Sequence, residues 1–458
     1  MRLKIGLSFF ILTFVFISSC RKYDETYTDR DDEWLSGGKQ TFFDAGVSAF
    51  GNMFTGMNEK QIQNHGVGDK AFEATFVTAP APLNYGLGPL YNNVSCASCH
   101  INDGRGKPPV GSEPLSSMLF RVSIPGVNAH GGPNPVPFYG GQFQPRIING
   151  RSAEGNVQIT YTEVSGTYAD GSPFSLRHPA YQMTNTYTSM PGDVMLSPRV
   201  APPVFGLGLL EAISEQDIRS YADEQDADGD GISGKANLVW DVMSNSLRLG
   251  RFGWKAGQPG LLQQSAGAYN EDMGVTNFVF PVENAYGQLQ NDNLNDDVEV
   301  SDSLMHAVAF YMQTLGVPAR RNVNDPAVKE GKRLFNVMQC GSCHVASYRT
   351  KVDVAFPALS NQKIFPYTDL LLHDMGIGLA DNRPEFLANG YEWRTPALWG
   401  IGLTRKVNGH DYFLHDGRAR NLSEAILWHG GEAESSKEKF RQLSATERQA
   451  VIKFLASL

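Results

Sequence analysis

The sequence predicts a mainly α fold made of two domains, the first expanded by long loops and β-hairpin insertions. Three observations predict it. One five-residue motif occurs twice, at residues 96–100 and 340–344, far enough apart to sit in separate domains. Helix-capping signatures surround the second copy. A stretch rich in Gly and Pro, with short strand-like runs, follows the first.

The motif copies are Cys96-Ala97-Ser98-Cys99-His100 and Cys340-Gly341-Ser342-Cys343-His344. A C-x-x-C-H run reads as c-type haem attachment. Two thiols at this spacing reach the two vinyl groups of one porphyrin, and the next residue offers an imidazole to its iron. From the chain's composition a single chance match has odds of about one in a thousand, so two are not accidental. The competing readings are a thioredoxin-like pair and a zinc site built from both pairs. Zinc needs four ligands but gives no reason for a histidine after each pair. Two covalently bound haem c groups follow, on Cys96, Cys99 and His100 and on Cys340, Cys343 and His344, in two cytochrome c-type haem domains.

The fifth cysteine lies in a targeting segment. Met1–Lys4 carries two positive charges, Ile5–Ile17 is almost wholly apolar, and Ile17-Ser18-Ser19-Cys20 follows. The apolar run is too short to span a bilayer comfortably and reads as a secretory signal. Ile-Ser-Ser-Cys resembles a bacterial lipobox, which implies lipidation of Cys20; an ordinary signal peptide with a stray cysteine is the alternative. The expected location is therefore an exported, outer-membrane-anchored lipoprotein, periplasmic or at the cell surface. The membrane is touched only through the lipid. Export agrees with haem attachment, since c-type haems are fitted outside the cytoplasm.

Composition narrows the partners. The chain has 458 residues, 41% of them hydrophobic, and a net charge of -9. That acidity, without a basic cluster, argues against nucleic acid. Residues 1–20 are read as the signal and 21–39 as a polar tether. An expanded N-terminal haem domain follows over 40–320, and a C-terminal cytochrome c domain over 321–458. Within the first, Val157–Tyr161 is strand-like between Pro108 and Pro203, and helices are expected at Ser214–Tyr221 and Val300–Leu315. Within the second, Asp325 and Pro326 form an N-cap and first turn that open a helix leading into Cys340. Ser444–Glu447 is a capping box for a helix reaching Leu458. In a cytochrome c fold these two helices cross, which brings Phe335 to Phe454.

Several further segments resemble the bacterial di-haem cytochrome c peroxidases, and more closely their branch of di-haem oxidoreductases. They include Gly86–Leu90, Asp103–Gly106, Ser197–Pro203, Gly206–Glu211, Gly250–Lys255, Leu371–Gly376 and Trp393–Pro396. The resemblance covers most of the mature chain. In the peroxidases a methionine fourteen residues beyond a Tyr-Phe-x-His histidine ligates the electron-transfer haem; counting from His415 lands on His429. Asn421 caps a short helix with Glu424 three residues on, and His429 sits on its last turn. His429 is therefore the expected sixth ligand of the second haem, and imidazole in place of thioether lowers the potential. A helix-end histidine held by the dipole is the bland alternative, and Met375 is the rival ligand.

The resemblance also implies that the first haem reacts with substrate and that an acid or amide moves protons beside it. Glu211, Gln144 and Glu154 are the candidates, each readable instead as a structural polar residue. His130 and His178 are alternative ligands, and Trp254 and Trp240 are candidate electron relays. Asp226, Asp228 and Asp230, with Gly231, copy the start of a calcium loop, although Asn237 stands where its glutamate belongs. An Asp-Gly turn without metal is the competing reading.

The expected activity is that of a peroxidase-like di-haem oxidoreductase. It passes electrons from a small-protein or quinol-linked donor, through the C-terminal haem, to a reactive N-terminal haem that meets a small oxidant such as peroxide. The alternatives are a surface cytochrome handling electrons or iron without turnover, and a haem-dependent oxygenase or protein-modifying enzyme.

Overall fold

The capping residues start the helices that the sequence assigns to them. Asp325 accepts from the Ala327 amide at 2.7 Å and Pro326 opens the helix Pro326–Val337. Ser444 and Glu447 make both bonds of their capping box at the start of Ala445–Ser457. Ser214 caps the short helix Glu215–Arg219, and Ser301 caps Asp302–Gln313. A computed structural model of the chain describes residues 32–111, 113–294 and 298–458. The signal segment, Cys20 and most of the tether lie outside the described residues. Among the described residues no helix is long and apolar enough to cross a membrane.

Two helix crossings repeat one piece of packing. Helix Pro326–Val337 crosses Ala445–Ser457 at Gly331, where a Cβ would lie 2.0 Å from the Ala450 carbonyl oxygen. Helix Glu59–Glu73 crosses Asp302–Gln313 at Gly68, where a Cβ would lie 2.0 Å from the Ala307 oxygen. One turn beyond each glycine an aromatic meets an aromatic of the crossing helix. Phe335 lies 5.2 Å from Phe454, as expected, and Phe72 lies 5.3 Å from Tyr311. Helix Pro326–Val337 of the first crossing leads almost directly into the motif at Cys340.

The mainly α expectation is wrong: helix makes up 28% of the chain and strand 21%, spread over many small sheets. Part of the excess is the anticipated insertion, a hairpin of strands Asn156–Thr167 and Pro173–Thr184 in register from Asn156↔Thr184 to Thr167↔Pro173. A further four-stranded sheet is organised around Met118–Val127, which pairs with Met195–Val200 along six residues. The remainder are two- to four-residue ladders between distant segments, such as Thr41↔Val317 and Leu372↔Arg394. Strands that short carry no readable period, whereas caps are conspicuous, so helix was over-weighted.

Two large apolar clusters each draw on both sides of residue 320. One joins Phe50, Phe72, Leu209 and Tyr311 to Tyr348, Leu371 and Trp399. The other joins Met118, Phe120 and Phe143 to Phe335, Phe440 and Phe454. Residues Glu33–Leu458 accordingly form one compact unit.

Candidate functional site: two cavities with a common wall

Cys96–Cys99 is a single helical turn capped by Ser95, whose hydroxyl accepts from the Ser98 amide at 3.1 Å. The turn brings both thiols and His100 to the lining of a cavity of about 370 Å³. His100 Nδ1 lies 2.6 Å from the Pro202 carbonyl oxygen, which can only accept. The ring proton is thereby held on Nδ1, and the Nε2 lone pair is left for a metal. Desolvation pushes the imidazole down to about 4, the neutral form that ligation needs.

The second motif repeats this arrangement around a cavity of about 180 Å³ lined by Cys340, Cys343, His344 and His429. His344 Nδ1 donates to the Tyr367 carbonyl at 3.0 Å and His429 Nδ1 to the Ala425 carbonyl at 2.7 Å. Asn421 caps helix Leu422–Leu427 as expected, and His429 follows just beyond its end. Burial lowers the pKa of both rings, and the nearness of His429 adds to the effect on His344. Met375 and His415 also line this cavity, with His415 stacked 3.7 Å from Trp393.

These residues fit haem. Each cavity presents two thiols that are not disulfide-bonded and an imidazole oriented through its second nitrogen. The two cysteine pairs face different cavities. Among the described residues the one grouping of potential metal ligands is an aspartate cluster, so the four thiols do not converge on a zinc ion.

The cavities share a wall. Trp254, Arg105, Arg394, Pro396, Leu398 and Ile401 line both. Trp254 donates from Nε1 to the Val200 carbonyl at 2.8 Å. The Arg105 guanidinium lies 5.7 Å from the Trp254 ring and 5.6 Å from Phe413. Trp240 lines neither cavity and stacks on His130 at 4.1 Å. His178, 5.9 Å from Trp428, lines neither as well.

None of the three candidate proton-moving residues touches the first cavity. Glu211 ties the fold, accepting from the Leu261 amide at 2.8 Å and from Gln313 at 2.7 Å. Gln144 and Glu154 form a layer behind the wall. Glu154 accepts from the Gln144 amide at 2.6 Å, and the Gln144 side chain donates to the Glu271 carbonyl at 2.8 Å. Glu154 is fully buried, its Oε1 has no hydrogen-bond partner among the described residues, and desolvation pushes its carboxyl up to about 9. The next residue, Asp272, does line the cavity and accepts from Gln142 at 2.7 Å. Its carboxyl is raised above the usual range, chiefly by desolvation. Sequence reasoning missed Asp272, because nothing local in Glu271-Asp272-Met273 points to a cavity.

His373 was read only as part of a family-like segment. It is a buried imidazole clamped between Asp369 at 2.7 Å and Glu432 at 2.6 Å, with the Cys343 sulfur 3.4 Å away. Desolvation opposes its charge, but the bonds to Asp369, Cys343 and Glu432 outweigh it and hold the ring protonated. Glu432 also accepts from the Ser233 hydroxyl at 2.7 Å, linking the aspartate loop to this cavity. In that loop Asp223, Asp226 and Asp228 approach one another. Asp230 instead accepts from the Ile232 amide at 2.8 Å.

The family described as "Di-haem oxidoreductase, putative peroxidase" matches residues 27–458. Comparison with curated proteins and with solved structures returns no match.

Proposed function

Since the chain belongs to the di-haem oxidoreductase family, we propose that it is a c-type, peroxidase-like enzyme. Its second cavity takes electrons from an external donor and its first meets a small oxidant such as peroxide. Haem held by these residues would supply one-electron transfer and the reduction of the oxidant. The observation that carries this reading is the asymmetry of the cavities. Imidazoles of both His344 and His429 line the second, whereas among the described residues His100 is the only histidine lining the larger first one.

The protein's own groups have distinct tasks on this reading. Cys96 and Cys99, and Cys340 and Cys343, tether the two groups, while the Pro202, Tyr367 and Ala425 carbonyls orient the three imidazoles. Trp254 fills the wall between the cavities with an aromatic ring that excludes water from the path. Asp272 faces the first cavity as a buried acid near the Cys96 and Cys99 thiols. Glu154, neutral at pH 7, holds a proton one layer behind it. Ile5–Ile17 and Cys20 support export and lipid anchoring.

Carbon monoxide added to the reduced holoprotein tests the reading. One haem of two should bind it, and peroxide turnover should accompany that binding. Failure of both haems to bind, with no turnover, would refute the peroxidase reading and leave electron transfer without catalysis. For the second cavity, His429→Met should change the spectrum of the haem that does not bind carbon monoxide. An unchanged spectrum would remove His429 from the iron.

A further inference from the structure

One end of the first cavity is lined by two buried arginines that share a single carboxylate. Arg199 and Arg383 both line it and are 8% and 4% exposed. They converge on a single oxygen of Glu385, Arg199 from 2.7 Å and Arg383 from 2.8 Å. The other charges nearby are already matched. Lys255 pairs with Asp381 at 2.7 Å, and Arg121 lies 3.8 Å from Glu271. Two buried guanidiniums thus share one carboxylate oxygen at the cavity wall. The Arg383 Nε is fully buried and has no hydrogen-bond partner among the described residues.

A buried guanidinium N–H left without a hydrogen bond is costly. Such a group persists where a ligand completes it. The remaining donors lie in a planar fork, the geometry that matches a carboxylate. Arg199 is fixed for the task by its Nε bond to the Ser197 hydroxyl at 3.0 Å. Gly257 makes the close approach feasible, since a Cβ there would lie 1.9 Å from the Glu385 carboxyl.

We propose that Arg199 and Arg383, joined by Glu385, form a carboxylate-binding site in the first cavity. The carboxylate comes either from a propionate of the haem held there, a source that rests on the haem reading above, or from a small free carboxylate. Arg383→Gln removes the charge and the fork, Arg383→Lys restores the charge alone, and Arg199→Gln is the independent variant should Arg383→Gln not fold.

Haem content of the wild-type holoprotein is measured first, because a chain without haem would sink the proposed function rather than this site. In that event calorimetric titration with acetate tests the site by itself. In the haem-loaded protein a propionate source predicts that Arg383→Gln lowers the midpoint potential of one haem only. Arg383→Lys should partly restore it, and acetate should have no effect on the wild type. A free-ligand source predicts that acetate shifts the wild-type spectrum saturably and that Arg383→Gln weakens its Kd by about tenfold, the worth of one charge-assisted bond. Unchanged potentials together with no acetate response in any protein would overturn the proposal.

Discussion

Replacing Glu154 with Gln should make the protein more stable at neutral pH and less active. The carboxyl has an ordinary pKa of 4.5 and is raised to about 9 in the folded chain by desolvation. Above pH 4.5 the unfolded chain releases this proton while the folded chain keeps it. Stability must therefore fall as pH rises, by about 1.4 kcal/mol per pH unit, until the folded group itself ionises. At pH 7 the accumulated cost is about 3 kcal/mol. Gln preserves the acceptor for the Gln144 amide and has nothing to ionise, so it abolishes the slope. Denaturant unfolding of both proteins at pH 5.5, 6.5 and 7.5 is the assay. The stability difference in favour of Glu154→Gln should grow by about 3 kcal/mol across that range. A constant difference would refute the buried neutral acid. Peroxide turnover measured on the same samples tests the role. A variant that gains stability and loses turnover has given up a functional acid, whereas equal turnover would leave Glu154 purely structural.

Three other outcomes follow from the geometry. Gly331→Ala places a methyl 2.0 Å from the Ala450 carbonyl oxygen and should cost about 3 kcal/mol or prevent folding; Gly192→Ala, at an exposed position where a Cβ meets nothing within 4 Å, is the surface control. Trp254→Phe should keep both haems but slow reduction of the first cavity's haem in stopped-flow mixing with reductant, and an unchanged rate would remove Trp254 from the path. His373→Gln leaves the carboxylates of Asp369 and Glu432 facing each other without a cation, so unfolding at pH 7 should show a loss of about 3 to 5 kcal/mol that shrinks towards pH 4. The same loss at both pH values would contradict that account.

The two C-x-x-C-H motifs, the caps at Asp325, Asn421 and Ser444, and the Phe335–Phe454 contact were legible because each depends on residues close in sequence or on a fold rule tied to the motif. The hairpin at Asn156–Thr184 was legible from the strand-like run Val157–Tyr161 among frequent Gly and Pro residues. Strand content was underestimated because Leu372↔Arg394 and Thr41↔Val317 are ladders of two or three residues, stabilised by partners that no local window contains.

The sequence by itself determined the two C-x-x-C-H motifs and the helix starts, since a motif and a cap are local, and the family resemblance pointed to the second histidine near His344. Only the tertiary structure decided that Trp254 and not Trp240 stands in the common wall, and that Asp272 and not Glu211 faces the first cavity. It also decided that Arg199, Arg383 and Glu385 meet at all. Which side chains share a cavity depends on how distant segments pack, and burial, which sets the charge of Glu154 and His373, is a property of the folded whole.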